Sequence, residues 1–122
     1  MAYTASSTFT RLVNSVYVET DATSTAQADI TGAAATLYGA EVDNRLNPDD
    51  PVFIKCYDSN SANNNTAPTL SLYVPPASVG RFVFAEGVSF ATALTVLVTL
   101  TAVTSGTAKD PDNKVTVKLL AV

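Results

Sequence analysis

Apolar and polar residues alternate along most of this chain, and the alternation is clearest in the stretch 93–103. Side chains of a β-strand point to opposite faces in turn, so a period of two residues indicates a strand. The second face carries three threonines together with Leu97 and Val103, and threonine and valine favour pleated sheets. The pattern predicts that 93–103 is the longest and most central strand of the fold. The first face is entirely apolar and consists of Leu94, Val96, Val98, Leu100 and Ala102.

The same period predicts further strands on both sides of this stretch. The segments between them are rich in Asn, Asp, Ser and Pro, which favour turns. Glu86 and Gly87 are predicted to connect a short strand to the central one. Alanines at 33–35 also allow a helix, but Gly39 would cost a helix about 1 kcal/mol, which favours a strand. The further predicted strands are 9–18, 26–31, 35–43, 52–58, 70–74, 82–84 and 114–122.

Seven or eight short strands without a helical period are typical of a β-sandwich or a small barrel. The sequence therefore predicts an all-β fold, an antiparallel β-sandwich of jelly-roll-like topology. An Ig-like sandwich is the alternative, because both architectures bury the same alternating faces. A chain of 122 residues suits a single domain. Residues 1–8, which are small and polar, are predicted to form an extended N-terminal arm, and 9–122 the sandwich.

Two local expectations follow from the pattern. The connection 59–68 consists mostly of Ser, Asn, Ala and Thr, so its tip is predicted to be solvated and 59–67 to tolerate replacement. In the central strand, Val98 lies on the apolar face and Thr99 on the more polar one. Val98→Asp is therefore predicted to prevent folding, and Thr99→Asp to be milder.

Charge and composition exclude several classes of function. There are 7 basic and 11 acidic residues and no cluster of Lys or Arg, so nucleic acid is not an expected partner. Histidine is absent, which excludes Ser-His-Asp triads and leaves Cys56, the single cysteine, without a catalytic base. A Gly-rich phosphate loop and a Cys/His zinc set are absent as well. The sequence predicts a protein that is not an enzyme and has no cofactor.

Four weaker signals have plainer interpretations. The oxygen-rich loop 43–50 lacks the spacing of a Ca²⁺ loop and is better explained as a turn held by Asx hydrogen bonds. The three glutamates share no motif that would indicate a glycosidase pair. The uncharged stretch 87–108 is interrupted by alternating threonines, so no membrane span is expected. A sugar-binding platform of tyrosines would lack Trp, the best residue for stacking on sugars; its members would be Tyr3, Tyr17, Tyr38, Tyr57 and Tyr73.

Four segments carry a resemblance to a known class of protein. Residues 36–44 (Thr-Leu-Tyr-Gly-Ala-Glu-Val-Asp-Asn) and 52–58 (Val-Phe-Ile-Lys-Cys-Tyr-Asp) resemble a strand–loop–strand unit of short structural proteins of tailed bacteriophages. Residues 84–94 are similar to the segment that leads into the longest strand of those proteins, and 115–118 to their closing strand. The resemblance covers 34–122 and is one of composition and order.

The resemblance implies a small β-sandwich that decorates or connects the virion, and it carries over no catalytic residue. The expected role is that of a capsid decoration or cement protein, bound across subunits of the major capsid protein on the capsid surface after synthesis in the host cytoplasm. The protein is also expected to form a homo-oligomer. A tail, neck or baseplate component is the alternative within the class. A carbohydrate-binding or adhesin module is the alternative outside it.

The predicted interface has two parts. Tyr3 and Phe9 are large apolar groups in a small and polar N-terminal stretch, and they are expected to anchor an arm that crosses a neighbouring subunit. Deleting 1–7 is then expected to weaken attachment and to leave the sandwich folded. The loops 44–51 and 75–80 are the second part, and their candidate contact residues are Asn44, Pro48, Pro75 and Pro76.

Overall fold

Seven strands make up the regular structure of the part of the chain that the structure describes. The structure is a computed structural model, which describes residues 15–104 and 108–122. The predicted arm 1–8 with Tyr3, and Phe9 just after it, lie outside these residues, and their roles stay predictions. The strands are β1 (Ser15–Glu19), β2 (Ala35–Asp43), β3 (Val52–Asp58), β4 (Leu70–Val74), β5 (Val79–Phe90), β6 (Leu94–Thr99) and β7 (Thr116–Ala121).

The strands form two antiparallel sheets that pack face to face. Sheet A has the order β1-β7-β2-β5, and sheet B has the order β4-β3-β6. The segment 23–30 runs along the open edge of β6, where the Val98 N–H donates to the Thr23 carbonyl, and Gln27 and Val96 exchange backbone hydrogen bonds. This segment acts as an irregular eighth strand, so the predicted strand 26–31 is reduced to a single bridge at Gln27.

The connectivity is that of a jelly roll. With 23–30 counted, the chain crosses from one sheet to the other at every connection except the hairpin between β3 and β4. An Ig-like sandwich would place the last strand beside β6, whereas here β7 lies between β1 and β2. The predicted all-β sandwich with jelly-roll-like topology is therefore confirmed.

The core lies between the sheets and is built from the inward face of each strand. Leu37, Val42, Val117 and Leu119 of sheet A are at most 3% exposed, and they pack in one cluster with buried residues of sheet B. Burying each such side chain is worth roughly 1.5–3 kcal/mol. The predicted strands 35–43, 52–58 and 70–74 coincide with β2, β3 and β4, and in β2 and β4 the alternation matches this burial.

The strand predicted to be the longest and most central lies inside its sheet, between β3 and the segment 23–30, but it is not the longest. β6 ends at Thr99, and the longest of the described strands is β5, at the outer edge of sheet A. The predicted connection at Glu86 and Gly87 lies inside β5. Gly87 has a φ of +78°, and a Cβ there would collide with Thr36 Cγ2, so this glycine lets β5 bend against β2 without ending.

Both faces of β6 are buried, which its alternation does not predict. Thr95 and Thr99 are fully buried, and Leu97 is 1% exposed. The hydroxyl of Thr99 donates to the Thr101 carbonyl at 2.7 Å, so it needs no water. The physical basis for a milder Thr99→Asp variant is therefore absent.

The chain that covers this face includes the loop predicted to be solvated. Asn63 and Asn65 are exposed, but Asn64 between them is buried, and its Oδ1 accepts a hydrogen bond from Lys55 Nζ at 2.6 Å. Lys55 Nζ also donates to the Val103 carbonyl at 2.8 Å. The predicted solvation is wrong at Asn64, because a buried amine requires polar partners.

Candidate functional site

Three connections between strands meet at one end of the sandwich, which we call the loop end. They are 44–51 between β2 and β3, 75–78 between β4 and β5, and the β6–β7 connection near Asn113. The antiparallel order directs β2, β4 and β6 toward this end. The two loops predicted to contact a partner are therefore neighbours in the fold.

Asn44 holds two of these connections together. Its Nδ2 donates to the carbonyls of Asp50 at 2.9 Å and Pro75 at 3.1 Å. Its backbone N–H donates to the Ser78 carbonyl at 2.9 Å, and its Oδ1 accepts a hydrogen bond from Asn47 Nδ2 at 3.0 Å. The residue is fully buried, so it fixes the loops from inside and presents no side-chain atom to a partner.

Asn47 attaches the third connection. Its Nδ2 donates to the Asn113 carbonyl at 3.1 Å, and its Oδ1 accepts from the Asn113 N–H at 2.8 Å. Its own carbonyl accepts the N–H of Ala77 at 3.0 Å. An amide side chain has two donor hydrogens and one acceptor oxygen. Both asparagines use these groups to lock three loops into one unit.

The surface over this network combines exposed apolar residues with the charged side chains of Arg45 and Asp49. Leu46 is 62% exposed between the two asparagines. Pro48 and Pro75 are exposed beside it, and Pro76 is half-buried. Ala77 is exposed with a φ of +54°, a conformation that costs an alanine energy and is typical of functional loops. A leucine held outward among prolines on a braced loop suits contact with another protein, because little entropy is lost on binding.

The outer face of sheet A is a second exposed surface. Val16 on β1 is 55% exposed, and Val83 on β5 is 84% exposed. Between them Glu41 accepts from Arg81, with Nε and Oε2 3.0 Å apart, and lies 3.9 Å from Lys118 Nζ. This face therefore combines apolar margins with a central cluster of charges.

A cleft of about 340 Å³ opens between β1 and the segment 23–30. Its walls are mostly apolar, and Tyr17 and Asp29 contribute to its lining. Asp29 has a φ of +48°, and its N–H donates to Thr95 Oγ1 at 3.1 Å. Its buried Oδ1 has no hydrogen-bond partner among the described residues. This oxygen is buried, so it is not open to a ligand in the cleft.

The tyrosines that the structure describes do not form one platform. Tyr57 is 2% exposed within sheet B, whereas Tyr38 lies on β2 of sheet A. Tyr73 is 51% exposed and packs against Phe53, with ring centroids 5.3 Å apart. Tyr17 lines the cleft. A single aromatic surface for a sugar is therefore not present in 15–104 and 108–122.

The side chains with reactive groups are engaged in packing. Burial raises the pKa of the Cys56 thiol to about 12, so the thiol stays protonated at neutral pH. Burial lowers the pKa of Lys55, whose amine is directed at Asn64 and Val103. Within the described ranges no three His, Cys, Asp or Glu residues cluster as a metal site. The same ranges contain no helix long and apolar enough to cross a membrane.

No protein-family model, curated protein sequence or solved structure matches the chain.

The predicted interface residues that the structure describes all lie at the loop end. Pro48, Pro75 and Pro76 reach its surface, whereas Asn44 lies beneath it. The sequence pattern does not single out Leu46 and Val83 as contact residues, although they are the most exposed of the large apolar residues described. Leu46 carried a signal, because it is an apolar residue between two turn-forming asparagines. For Val83 there was no such signal, because alternation separates the two faces of a strand but does not show which face is exposed.

Proposed function

We propose that the protein is a non-enzymatic structural protein of a bacteriophage virion, a decoration or cement protein on the capsid. It binds across subunits of the major capsid protein and stabilises the particle by adding buried area at their junctions. The action is mechanical and requires a rigid module with an exposed contact surface. The protein works on the outer surface of the capsid after synthesis in the host cytoplasm.

The observation that carries this proposal is the loop end. Leu46, Pro48 and Pro75 are exposed apolar residues on loops that a buried network of asparagine hydrogen bonds holds together. Such a surface suits binding to a protein, since it offers apolar contact and no reactive group. The choice of a virion as the assembly rests on the sequence resemblance of 34–122 to phage structural proteins.

Co-sedimentation of the purified protein with capsids that lack it tests the proposal. Leu46→Asp is expected to abolish binding, because a carboxylate would be desolvated in the interface. Val103→Asp is the matched control, since Val103 is 55% exposed and lies over sheet B. Equal binding by wild type and Leu46→Asp would exclude the loop end as the contact surface.

Deletion of 1–7 distinguishes the contribution of the arm to binding from that of the loop end in the same experiment. If the arm ties neighbouring subunits together, the truncated protein is expected to stay folded and to bind more weakly. Undiminished binding would assign attachment to the loop end alone. No binding of the intact protein to any capsid preparation would reject the cement role.

A tail, neck or baseplate position is distinguished by copy number. A cement protein is expected in a number of copies comparable to that of the major capsid protein, whereas a tail component is present in far fewer. Quantitative mass spectrometry of purified particles measures this ratio.

The cleft beside Asp29 favours one second candidate, a carbohydrate-binding or adhesin module. Its mostly apolar wall, together with the polar groups of Tyr17 and Gln27 in its lining, suits a small polyhydroxylated ligand. Glycan-array binding that is lost in Gln27→Ala would support this candidate. Absence of binding to any glycan would remove it without affecting the capsid proposal.

A further inference from the structure

The outer face of sheet A has a regular arrangement of side chains in rows that cross all four strands. The pairing registers place Val16, Leu120, Gly39 and Val83 side by side in one row. The next row, nearer the loop end, consists of Val18, Lys118, Glu41 and Arg81. The first row is apolar and the second is mainly charged.

Each row is complementary to the same row of a second copy whose strands run across the face in the reverse order. In the first row, Leu120 projects beside Gly39, which has no side chain. A hollow of about 280 Å³ includes Gly39 in its lining and is bordered by Leu120 and Val83. Reversing the row places Leu120 of one copy over the Gly39 hollow of another, and Val16 over Val83.

The charged row gives the same match. Reversal places Lys118 of one copy opposite Glu41 of the other, and Glu41 opposite Lys118. Arg81 then faces Val18, which can pack against the aliphatic part of the arginine side chain. Like charges are kept apart in this arrangement, and each opposite-charge pair occurs twice.

We propose that the outer face of sheet A is the interface of a two-fold symmetric dimer of this chain. The two-fold axis is parallel to the strands and passes between β7 and β2, so that β1 lies over β5 of the second copy. Two sheets that pack face to face keep their strands within about 30° of each other, which this axis satisfies. An isologous interface requires a patch that is complementary to itself, as both rows are.

The size of the face sets the strength of the dimer. Four strands about 4.8 Å apart, with a length of nine residues as in β2, cover about 600 Å². Standard stable interfaces bury about 800 Å² on each partner. The dimer is therefore expected to dissociate on dilution.

The direction of the axis has a consequence for attachment. An axis parallel to the strands leaves the loop ends of both copies pointing the same way. The dimer thus presents two copies of the Leu46 surface to one partner, and binding of one copy raises the effective concentration of the other. The dimer itself does not depend on the proposed capsid role, and it is tested without capsids.

Cross-linking tests the register. In the proposed dimer position 16 of one copy faces position 83 of the other, whereas each position is distant from its own equivalent. An equimolar mixture of Val16→Cys and Val83→Cys, treated with a short bifunctional maleimide, is expected to give a cross-linked dimer. Each variant alone is expected to remain uncross-linked, and the native Cys56 is fully buried. Cross-linking of Val83→Cys alone would indicate β5 edge pairing and would overturn the proposal.

Charge reversal tests the second row by sedimentation equilibrium of the full chain. Lys118→Glu places a carboxylate opposite Glu41 of the second copy, and a dissociation constant at least tenfold higher is expected. Combining it with Glu41→Lys is expected to recover most of this loss. Circular dichroism of each variant verifies folding. A wild-type protein that stays monomeric up to its solubility limit, or a double variant no better than the single one, would overturn the proposal.

Discussion

The outer face of sheet A is open to solvent, whereas the outer face of sheet B is covered over β6 by the protein's own chain and is open only at β4, where Tyr73 is exposed. On sheet A, Val83 is 84% exposed and Val16 is 55% exposed. On sheet B, Thr95, Leu97 and Thr99 are at most 1% exposed. The two sheets belong to one sandwich and share one core, so their different surroundings arise from the connections outside the sheets.

The cover of sheet B is fastened at Lys55. Its amine binds the Asn64 side chain from the β3–β4 loop and the Val103 carbonyl from the chain after β6. A buried lysine is costly unless its donors are paired, so the lysine and the two segments require one another. Polar contacts within the chain therefore hold the cover on sheet B in place, whereas the open face of sheet A keeps its apolar residues available to a second molecule.

The largest expected difference in stability is between two variants that each place a charge on one outer face. Thr99→Asp is expected to prevent folding, because the carboxylate would be buried without a partner at a cost of several kcal/mol. Val83→Asp is expected to change the free energy of unfolding by less than about 0.5 kcal/mol, since the site is exposed. Circular dichroism and urea denaturation of dilute samples measure both.

A folded and stable Thr99→Asp variant would contradict the comparison. It would mean that the cover opens easily, and that the outer face of sheet B is accessible to solvent in the native protein.

The contribution of the cover to stability is tested with two variants in the run of three asparagines. Asn64→Ala removes an acceptor from the buried Lys55 amine, and a loss of about 1–3 kcal/mol of stability is expected. Asn65→Ala is the matched control, because Asn65 is exposed and its side chain forms no hydrogen bond within the described residues. Equal urea midpoints for the two variants would show that Lys55 finds another acceptor when Asn64 is absent.

Much of the fold was predictable, because alternation reports burial of one face of a strand. β2, β3 and β4 have the bounds predicted for them. The same signal fails for β6, whose second face is buried by chain that is distant in sequence. Thr95 and Thr99 are polar yet buried, since Ser59 and Thr101 carbonyls accept their hydroxyl protons. The Ser59 carbonyl is a tertiary partner and the Thr101 carbonyl lies two residues along the chain, and neither partner leaves a periodic trace.

The candidate site was predictable in location and only partly in its residues. Proline and asparagine mark 44–51 and 75–78 as loops, and the structure brings these loops together. Their side-chain roles depend on contacts across 31 and 66 residues of sequence, from Asn44 to Pro75 and from Asn47 to Asn113. No local pattern distinguishes an asparagine that braces a loop from one that faces solvent.

The pH dependence of stability is expected to distinguish the sheets as well. Burial raises the pKa of Cys56, on β3, from 9.0 to about 12. The thiol therefore contributes stability that is complete below pH 9 and is lost as pH rises toward 12, by about 1.4 kcal/mol for each pH unit. Thermal or urea unfolding from pH 9 to 11 is expected to show this slope, and Cys56→Ala is expected to reduce it.

The comparison with Cys56→Ala isolates the thiol from its neighbours. Burial also raises the pKa of Tyr57, with a smaller contribution from the Cys56 charge, and burial lowers the pKa of Lys55. The contributions of Tyr57 and Lys55 to the slope oppose each other, and the parts that arise from burial persist in the variant. An unchanged slope in Cys56→Ala would mean that the thiol is not the source of the alkaline loss.

The smallest effect is expected on the open face, at Glu41. Its partners Arg81 and Lys118 have side chains 72% and 48% exposed, and exposed ion pairs contribute 0 to about 1 kcal/mol because water screens them. Glu41→Gln keeps the shape of the side chain and removes its charge. In dilute monomer, a change of less than about 1 kcal/mol in the free energy of unfolding is expected, shrinking further in high salt. A much larger loss that salt does not reduce would mean that Glu41 is desolvated in the monomer, so that this face too is covered and the contrast between the sheets does not hold.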